Sequence, residues 1–257
     1  MRAVKWTGPR HVSVDDVADP RIEQPTDAII RLTASGLCGS DLHLYDHGAS
    51  MAMKPGDVVG HEALGVVEEV GSEVTHIKRG DTVVVPFNIS CGHCELCRRE
   101  LYSQCETTQN LGGKKGAALF GYTHLYGGVA GAQAEYLRVP QAHFGPIKVD
   151  LDAMPELGAL LLSDVLPTAW QAVEYADIEP GGTVAIYGLG PIGLMATSIA
   201  LHRGAGRVIG IDRFADRLAA AKDRGAQVID YAAVDDIADA VRDMTGGRGV
   251  VVAAGGR

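Results

Sequence analysis

The chain has no apolar run of the roughly 18 residues that a membrane-spanning helix requires, which excludes such a helix. Its opening, MRAVKWTGPRHVSVDD, has charge and polarity where a secretory leader needs an unbroken apolar stretch. A cytoplasmic, reducing environment is the simplest expectation. An excess of positive charge is missing as well. The 257 residues carry 23 basic and 32 acidic side chains, a formal net charge of −9, which opposes phosphate backbones and anionic lipid surfaces. Neither nucleic acid nor a membrane is therefore expected as a partner. Internal repeats and low-complexity segments are absent too.

What is present is an ordinary apolar content of 46% and 33 glycines, which point to many tight turns and close backbone approaches. The length allows one large or two ordinary domains. Two textures follow one another. Short β-rich runs at 28–36, 63–70, 81–87 and 133–140 are separated by Gly, Pro and Asp turns, which reads as a mainly β domain. After ADIEPGGT at 176–183, strand and helix alternate, the pattern of a parallel sheet with crossover helices. The expected division is therefore 1–175 and 176–257, an α/β region following a mainly β one.

Four of the five cysteines crowd into 15 positions as Cys91-x2-Cys94-x2-Cys97-x7-Cys105. In a reducing compartment this spacing favours a metal over a disulfide framework, because two intervening residues let a tight turn aim both sulfurs at one ion. Four sulfurs close a tetrahedral shell around zinc and leave no open position. The expectation is a structural zinc lobe rather than redox or iron–sulfur use, so the chemistry has to be sought elsewhere.

Gly188-Leu-Gly190-Pro191-Ile192-Gly193 follows the strand TVAIYG and opens a helix. In that context the first glycine permits the turn, the second lets the backbone approach a pyrophosphate, and the third lets helix and strand pack closely. Pro191 suits a helix start, where its missing N–H has no partner to lose. Asp212 lies 24 positions after Gly188, at the distance expected of an acid that grips the ribose hydroxyls. It motivates a preference for NAD, although Arg213 beside it can accommodate a 2′-phosphate.

The fifth cysteine, Cys38, stands in GLCGSDLHLYDHG; GHE supplies His61 and Glu62, and LSDVLPTAW supplies Asp164. A catalytic zinc takes three such ligands and keeps one position open. Sequence alone leaves open whether these three places converge or are scattered structural residues. The lesser alternative for SDLH is an ordinary helix start capped by Ser40 or Asp41.

These motifs, in this order, resemble the zinc-dependent medium-chain alcohol dehydrogenases over nearly the whole chain. LFGYTHLYGGVAGAQAEYLRVP followed by LSDVLPTAW is similar to the formaldehyde-dehydrogenase-like branch, where an Asp stands in place of a Cys ligand. The resemblance implies a chaperonin-10-like β catalytic domain followed by a Rossmann domain, and two zinc ions with NAD as cofactors. It implies Cys38, His61 and Asp164 as catalytic-zinc ligands and Glu62 as an acid that approaches the metal during ligand exchange. Ser40 and His43 would pass the alcohol proton to solvent, and Thr168 would lie against the nicotinamide. The substrate would be a small alcohol or aldehyde, and full-length members would be homo-oligomers.

The resemblance also implies an incomplete Rossmann sheet. Counting from Thr183 gives four strands of the usual six, and the family's acidic residue before the fourth strand is replaced by Val250 or Val251. The chain thus reads as C-terminally truncated, with its fourth strand at an uncovered apolar edge. On this reading it keeps zinc in the lobe, binds NAD weakly and turns over little. An inactive zinc- and nucleotide-binding remnant is accordingly the alternative to a working dehydrogenase. A metal-free reductase of enones or quinones is another, and it would leave the five cysteines unexplained.

Overall fold

The computed structural model describes residues 1–109 and 116–250, together with the backbone of 252–255; Val251 lies outside the described residues. The chain divides into two compact units, Met1–Asp164 and Val165–Arg257.

In the first unit, β1 (Arg2–Gly8) and β2 (His11–Asp16) form an antiparallel pair. A five-stranded antiparallel sheet is built from β3 (Ala28–Ser35), β4 (Ala63–Val70), β5 (Thr82–Val85), β6 (Tyr136–Val139) and β7 (Ile147–Lys148), in the order β6-β3-β4-β5-β7. Alternation along β5 shows why these runs are strands. Val83 and Val85 join a core with Ile30, Val67, Phe120 and Leu137, while Val84 between them faces a second cluster with Leu64 and Leu160. A period of two serves both faces of a sheet buried on each side. Helices α1 (Gly39–His47), α2 (Glu95–Arg98) and α3 (Glu156–Leu160) fill the connections.

The second unit begins with α4 (Val165–Tyr175) and continues through β8 (Thr183–Tyr187), α5 (Pro191–His202), β9 (Arg207–Asp212), α6 (Ala215–Asp223), β10 (Gln227–Asp230), α7 (Ile237–Met244) and β11 (Val252–Gly255). Its four strands are parallel in the order β10-β9-β8-β11, the 3-2-1-4 portion of a doubly wound sheet. Strand alternation again sorts the faces. Val184, Ile186 and Val208 pack with α4, α5 and α6 through Ala169, Val173, Ala200 and Leu218, while Ala185, Ile209 and Ile211 pack with Val241 of α7. A mainly β region followed by a partial parallel sheet is thus the observed architecture. By packing, α4 belongs with the parallel sheet, because Ala169 and Val173 are buried in its core.

Candidate functional site

Strand register brings the scattered ligand candidates to one end of the first unit's sheet. Ser35 at the end of β3 pairs with Ala63 at the start of β4, and the Gly36 N–H donates to the Glu62 carbonyl at 3.1 Å. The segments carrying Cys38 and His61–Glu62 are therefore neighbours. β5 lies on the other side of β4 with Val85 opposite Ala63, and two residues beyond it the Phe87 N–H donates to the Ser163 carbonyl at 3.3 Å. That bond draws Asp164 to the same end. One donor atom from each of Cys38, His61, Glu62 and Asp164 then lies within 4.8 Å of the others.

His61 stands at the centre. Its Nε2 is 3.1 Å from Asp164 Oδ2 and 3.3 Å from Ser40 Oγ, and its Nδ1 is 3.3 Å from Asp41 Oδ1. Asp41 Oδ2 accepts from the Cys38 N–H at 2.9 Å, so one carboxylate closes the start of α1 and faces the imidazole. Burial would push His61 toward neutrality, yet Asp164, Asp41 and the Cys38 sulfur outweigh it and raise the ring to about 12. Glu62 is raised by burial and by the charge of Asp164. Gly36 makes room for Glu62, since a Cβ there would meet Glu62 Oε2 at 2.0 Å.

Among the described residues, Asp41 Oδ1, His61 Nδ1 and Glu62 Oε1 are buried without a hydrogen bond of good geometry. Three carboxylates and a thiol around one imidazole call for positive charge at their centre, and thiolate, imidazole and carboxylate together suit zinc. The cluster borders a cavity of about 250 Å³ that Ser40, His61 and Asp164 share with the apolar and aromatic walls of Phe87, Leu119 and Tyr122. His43 is exposed on α1, three positions after Ser40.

The cysteine lobe has a different chemistry. Cys91, Cys94, Cys97 and Cys105 bring their sulfurs within 4.8 Å of one another, all as free thiols. The Cys91–Cys97 and Cys94–Cys105 sulfurs are 4.0 Å apart, far beyond a disulfide bond and close to the edge, about 3.8 Å, of a tetrahedron with 2.3 Å zinc–sulfur bonds. Backbone N–H groups of Cys94 and Cys97 donate to the sulfurs of Cys91 and Cys94 at 3.3 and 3.4 Å, and the Thr107 hydroxyl donates to Cys91 at 3.1 Å. Burial works against ionisation of Cys94, but the Cys97 and Glu106 amides bring it down to about 6. A cradle of N–H donors around sulfur fits thiolates that hold a metal.

In the second unit the glycine turn is fixed by sterics. Gly188 has φ +77°, Gly190 caps α5 and Pro191 opens it, while a Cβ on Gly193 would meet the Gly188 carbonyl at 1.9 Å. Ile192 packs against the unit's core. Asp212, only 4% exposed, accepts from the Leu189 N–H at 2.7 Å and from the N–H groups of Arg213 and Phe214 at 2.6 and 3.1 Å. Burial alone would raise its carboxyl, but these amides and Arg217 hold it below the usual range. Thr168 lies on α4.

Sequence reasoning missed Gly36, the ring-facing role of Asp41, Tyr122 and Arg217. For Asp41 a signal was available, an acid three residues after Cys38 at capping-box spacing. The role of Gly36 exists only once β3 and β4 are paired.

Residues 24–149 match the alcohol dehydrogenase GroES-like domain, and residues 191–254 match the zinc-binding dehydrogenase family. A zinc-type alcohol dehydrogenase-like protein of Bacillus subtilis is 41% identical over 259 aligned positions, covering 100% of this chain and 68% of that protein. The glutathione-independent formaldehyde dehydrogenase of Pseudomonas aeruginosa is 38% identical over 238 residues, covering 89% of this chain and 58% of its own length. Among solved structures, an alcohol dehydrogenase from Thermus sp. ATN1 superimposes with a TM-score of 0.88 at 38% identity, over 98% of this chain and 69% of that one. The chain thus spans between 58% and 69% of the length of these three proteins. Fold, cysteine lobe and glycine turn agree with these matches, and the chain belongs to the zinc-type medium-chain alcohol dehydrogenase family.

Proposed function

We propose that the chain transfers a hydride between an alcohol, or a hydrated aldehyde, and NAD, with zinc as its metal. The observation that carries this reading is one cavity bordered by the buried donor set around His61 and by apolar and aromatic walls. Mixed donors beside a cavity suit a metal that keeps a position for substrate. Cys38, His61 and Asp164 would hold that ion, with Glu62 as the acid available during ligand exchange; the four lobe thiolates would hold a second, structural one. Bound there, zinc would supply Lewis-acid polarisation of the substrate oxygen.

The chain's own residues do the rest. Asp41, on the Nδ1 side of His61, turns Nε2 toward Ser40 and Asp164. Ser40 borders the cavity and is within reach of the hydroxyl proton that the alcohol releases as its C–H hydride departs; exposed His43 delivers that proton to solvent. Phe87, Leu119 and Tyr122 keep bulk water from the reacting carbon. In the second unit, the 188–193 backbone and the N-terminus of α5 receive the pyrophosphate, with Asp212 and Arg213 at the ribose and Thr168 against the nicotinamide. On this reading the first unit serves metal and alcohol, the second serves the dinucleotide, and the protein works in the cytoplasm.

The test is metal analysis of the purified chain together with an alcohol-dependent assay of NADH formation. Two zinc ions per chain and turnover that Asp164→Ala abolishes support the proposal. One zinc ion and no turnover would reduce the chain to a metal-stabilised nucleotide-binding fold.

A further inference from the structure

Helix α1 borders two cavities. Ser40 faces the one beside His61, whereas Asp41, Leu42, Leu44 and Tyr45 line a second, of about 130 Å³, that shares no lining residue with the first. Hydride transfer makes no use of this second space. Its inner wall is formed by the buried side chains of Trp6, Leu44 and Val59, and its rim by Val12 and Leu42, which are 49% and 55% exposed. A small molecule thus has an apolar interior to enter and an open way in.

The walls are braced against collapse. At the β1–β2 turn the Arg10 N–H donates to the Tyr45 carbonyl at 2.7 Å and the Arg10 side chain pairs with Asp46 at 2.8 Å, so the hairpin carrying Val12 is tied to α1. Gly48 backs the Trp6 indole so closely that a Cβ there would meet the ring at 2.9 Å, which leaves the ring no room to retreat. Apolar space that cannot close and offers water few partners stays dry, and at about 150 Å³ such space takes benzene or xenon. Asp41 brings a negative charge to the lining, which disfavours an anionic occupant.

Two residues connect this cavity with the His61 cluster. Asp41 lines it, while the same carboxylate accepts from the Cys38 N–H at 2.9 Å and faces His61 Nδ1 at 3.3 Å. Tyr122 lines the other cavity and packs against the cluster of Trp6, Leu44 and Val59. We propose that the cavity behind α1 binds a small uncharged apolar molecule of single-ring size, and that this occupant, by propping α1, holds Asp41 against His61. The second half rests on the reading of the His61 cluster as a zinc site.

Bromobenzene and 4-bromobenzoate test this on the full chain, purified with zinc and carrying Trp170→Phe, so that Trp6 is the one tryptophan left. Bromine quenches indole emission on contact, and a ring seated against Trp6 is what the signal reads. We expect saturable quenching by bromobenzene, with 4-bromobenzoate weaker by at least about tenfold because its charge would be buried unpaired. Filling the rim by Val12→Phe or Leu42→Phe, both at exposed positions, should weaken bromobenzene binding about tenfold and leave zinc content unchanged. In chelator competition, saturating bromobenzene should raise zinc affinity at the His61 cluster about fivefold or more and leave the lobe ion unaffected. Quenching that is absent or does not saturate, that the benzoate matches, or that survives both rim substitutions would overturn the binding site; unchanged zinc affinity would overturn its link to His61. Saturable quenching in a chain that holds no zinc at the His61 cluster would remove the metal reading and leave the cavity site standing.

Discussion

The two ligand clusters of the first unit lie in the same domain yet are built on opposite plans. The cysteine lobe draws four identical donors from 15 consecutive positions and surrounds them with N–H groups of its own loop. The His61 cluster draws unlike donors from positions 38, 61, 62 and 164, and its supports are side chains and strand register. One is a local fold closed around sulfur; the other is a meeting of distant segments beside a cavity. Identical donors from one short loop close around an ion and hold the loop together, whereas unlike donors beside a cavity leave a metal accessible on one side.

The sharpest way to separate them is a pair of substitutions. Cys97→Ala should remove one zinc ion, speed hydrogen exchange across residues 91–108 and lower the melting temperature strongly, because metal binding at such lobes is worth about 10–16 kcal/mol of apparent folding free energy. Asp164→Ala should remove the other ion and cut turnover by at least about a hundredfold, the value of a few kcal/mol of lost polarisation, while leaving the melt nearly unchanged. Equal metal loss and equal unfolding in both would erase the distinction.

A smaller effect is expected from Asp41→Asn, which keeps the shape but removes the charge facing His61 Nδ1. Zinc affinity at the His61 cluster should fall about 10–100-fold, with the lobe ion retained. Competition with a chromophoric chelator, which resolves two affinities, reads this directly; a parallel loss at both sites would contradict it. Gly36→Ala comes next. Its Cβ would collide with Glu62 Oε2 and approach Glu62 Cβ to 2.9 Å, so a stability loss of about 1–3 kcal/mol is expected. Chemical denaturation would measure it, and an unperturbed midpoint would show that Glu62 moves aside freely.

The smallest expected effect lies outside both clusters and serves as their control. Asp212→Asn replaces one oxygen that faces backbone N–H groups and should cost about 1–2 kcal/mol at neutral pH. The folded carboxyl is held below its ordinary value, so its contribution is present above an unfolded pKa of about 3.9 and is lost as pH falls through the folded value. Variant and parent should therefore converge in acid. Hydrogen exchange of residues 183–212 follows this; a difference that persisted below the folded pKa would point to shape rather than charge.

The comparison also separates what the sequence made legible from what it did not. The lobe could be read because a short spacing fixes its geometry, and the glycine turn because Gly188 needs positive φ and Gly193 needs the space of a missing Cβ. The strand run at 63–70 was legible to the residue, since alternation leaves little freedom at its ends. The meeting of Cys38, His61 and Asp164 was not. It depends on Ser35 facing Ala63 and on the Phe87–Ser163 bond, neither of which leaves a local trace. Asp41 read as a possible cap, and its second oxygen's approach to His61 belongs to the same hidden register. The place of α4 against the parallel sheet follows from Ala169 and Val173 finding a core there, which no local spacing announces.

The Phe87–Ser163 bond has a further consequence. Because it joins main chain to main chain, it positions residue 164 whatever side chain that residue carries. Donor hardness at this corner of the site is therefore free to change without remodelling the scaffold. A carboxylate oxygen there is a hard ligand and a thiolate a soft one, so Asp164→Cys would shift relative affinity from manganese and cobalt toward cadmium and monovalent copper at constant backbone geometry. With Asp164 holding the ion as proposed, metal preference at this corner of the site would turn on one interchangeable side chain mounted on a fixed peptide.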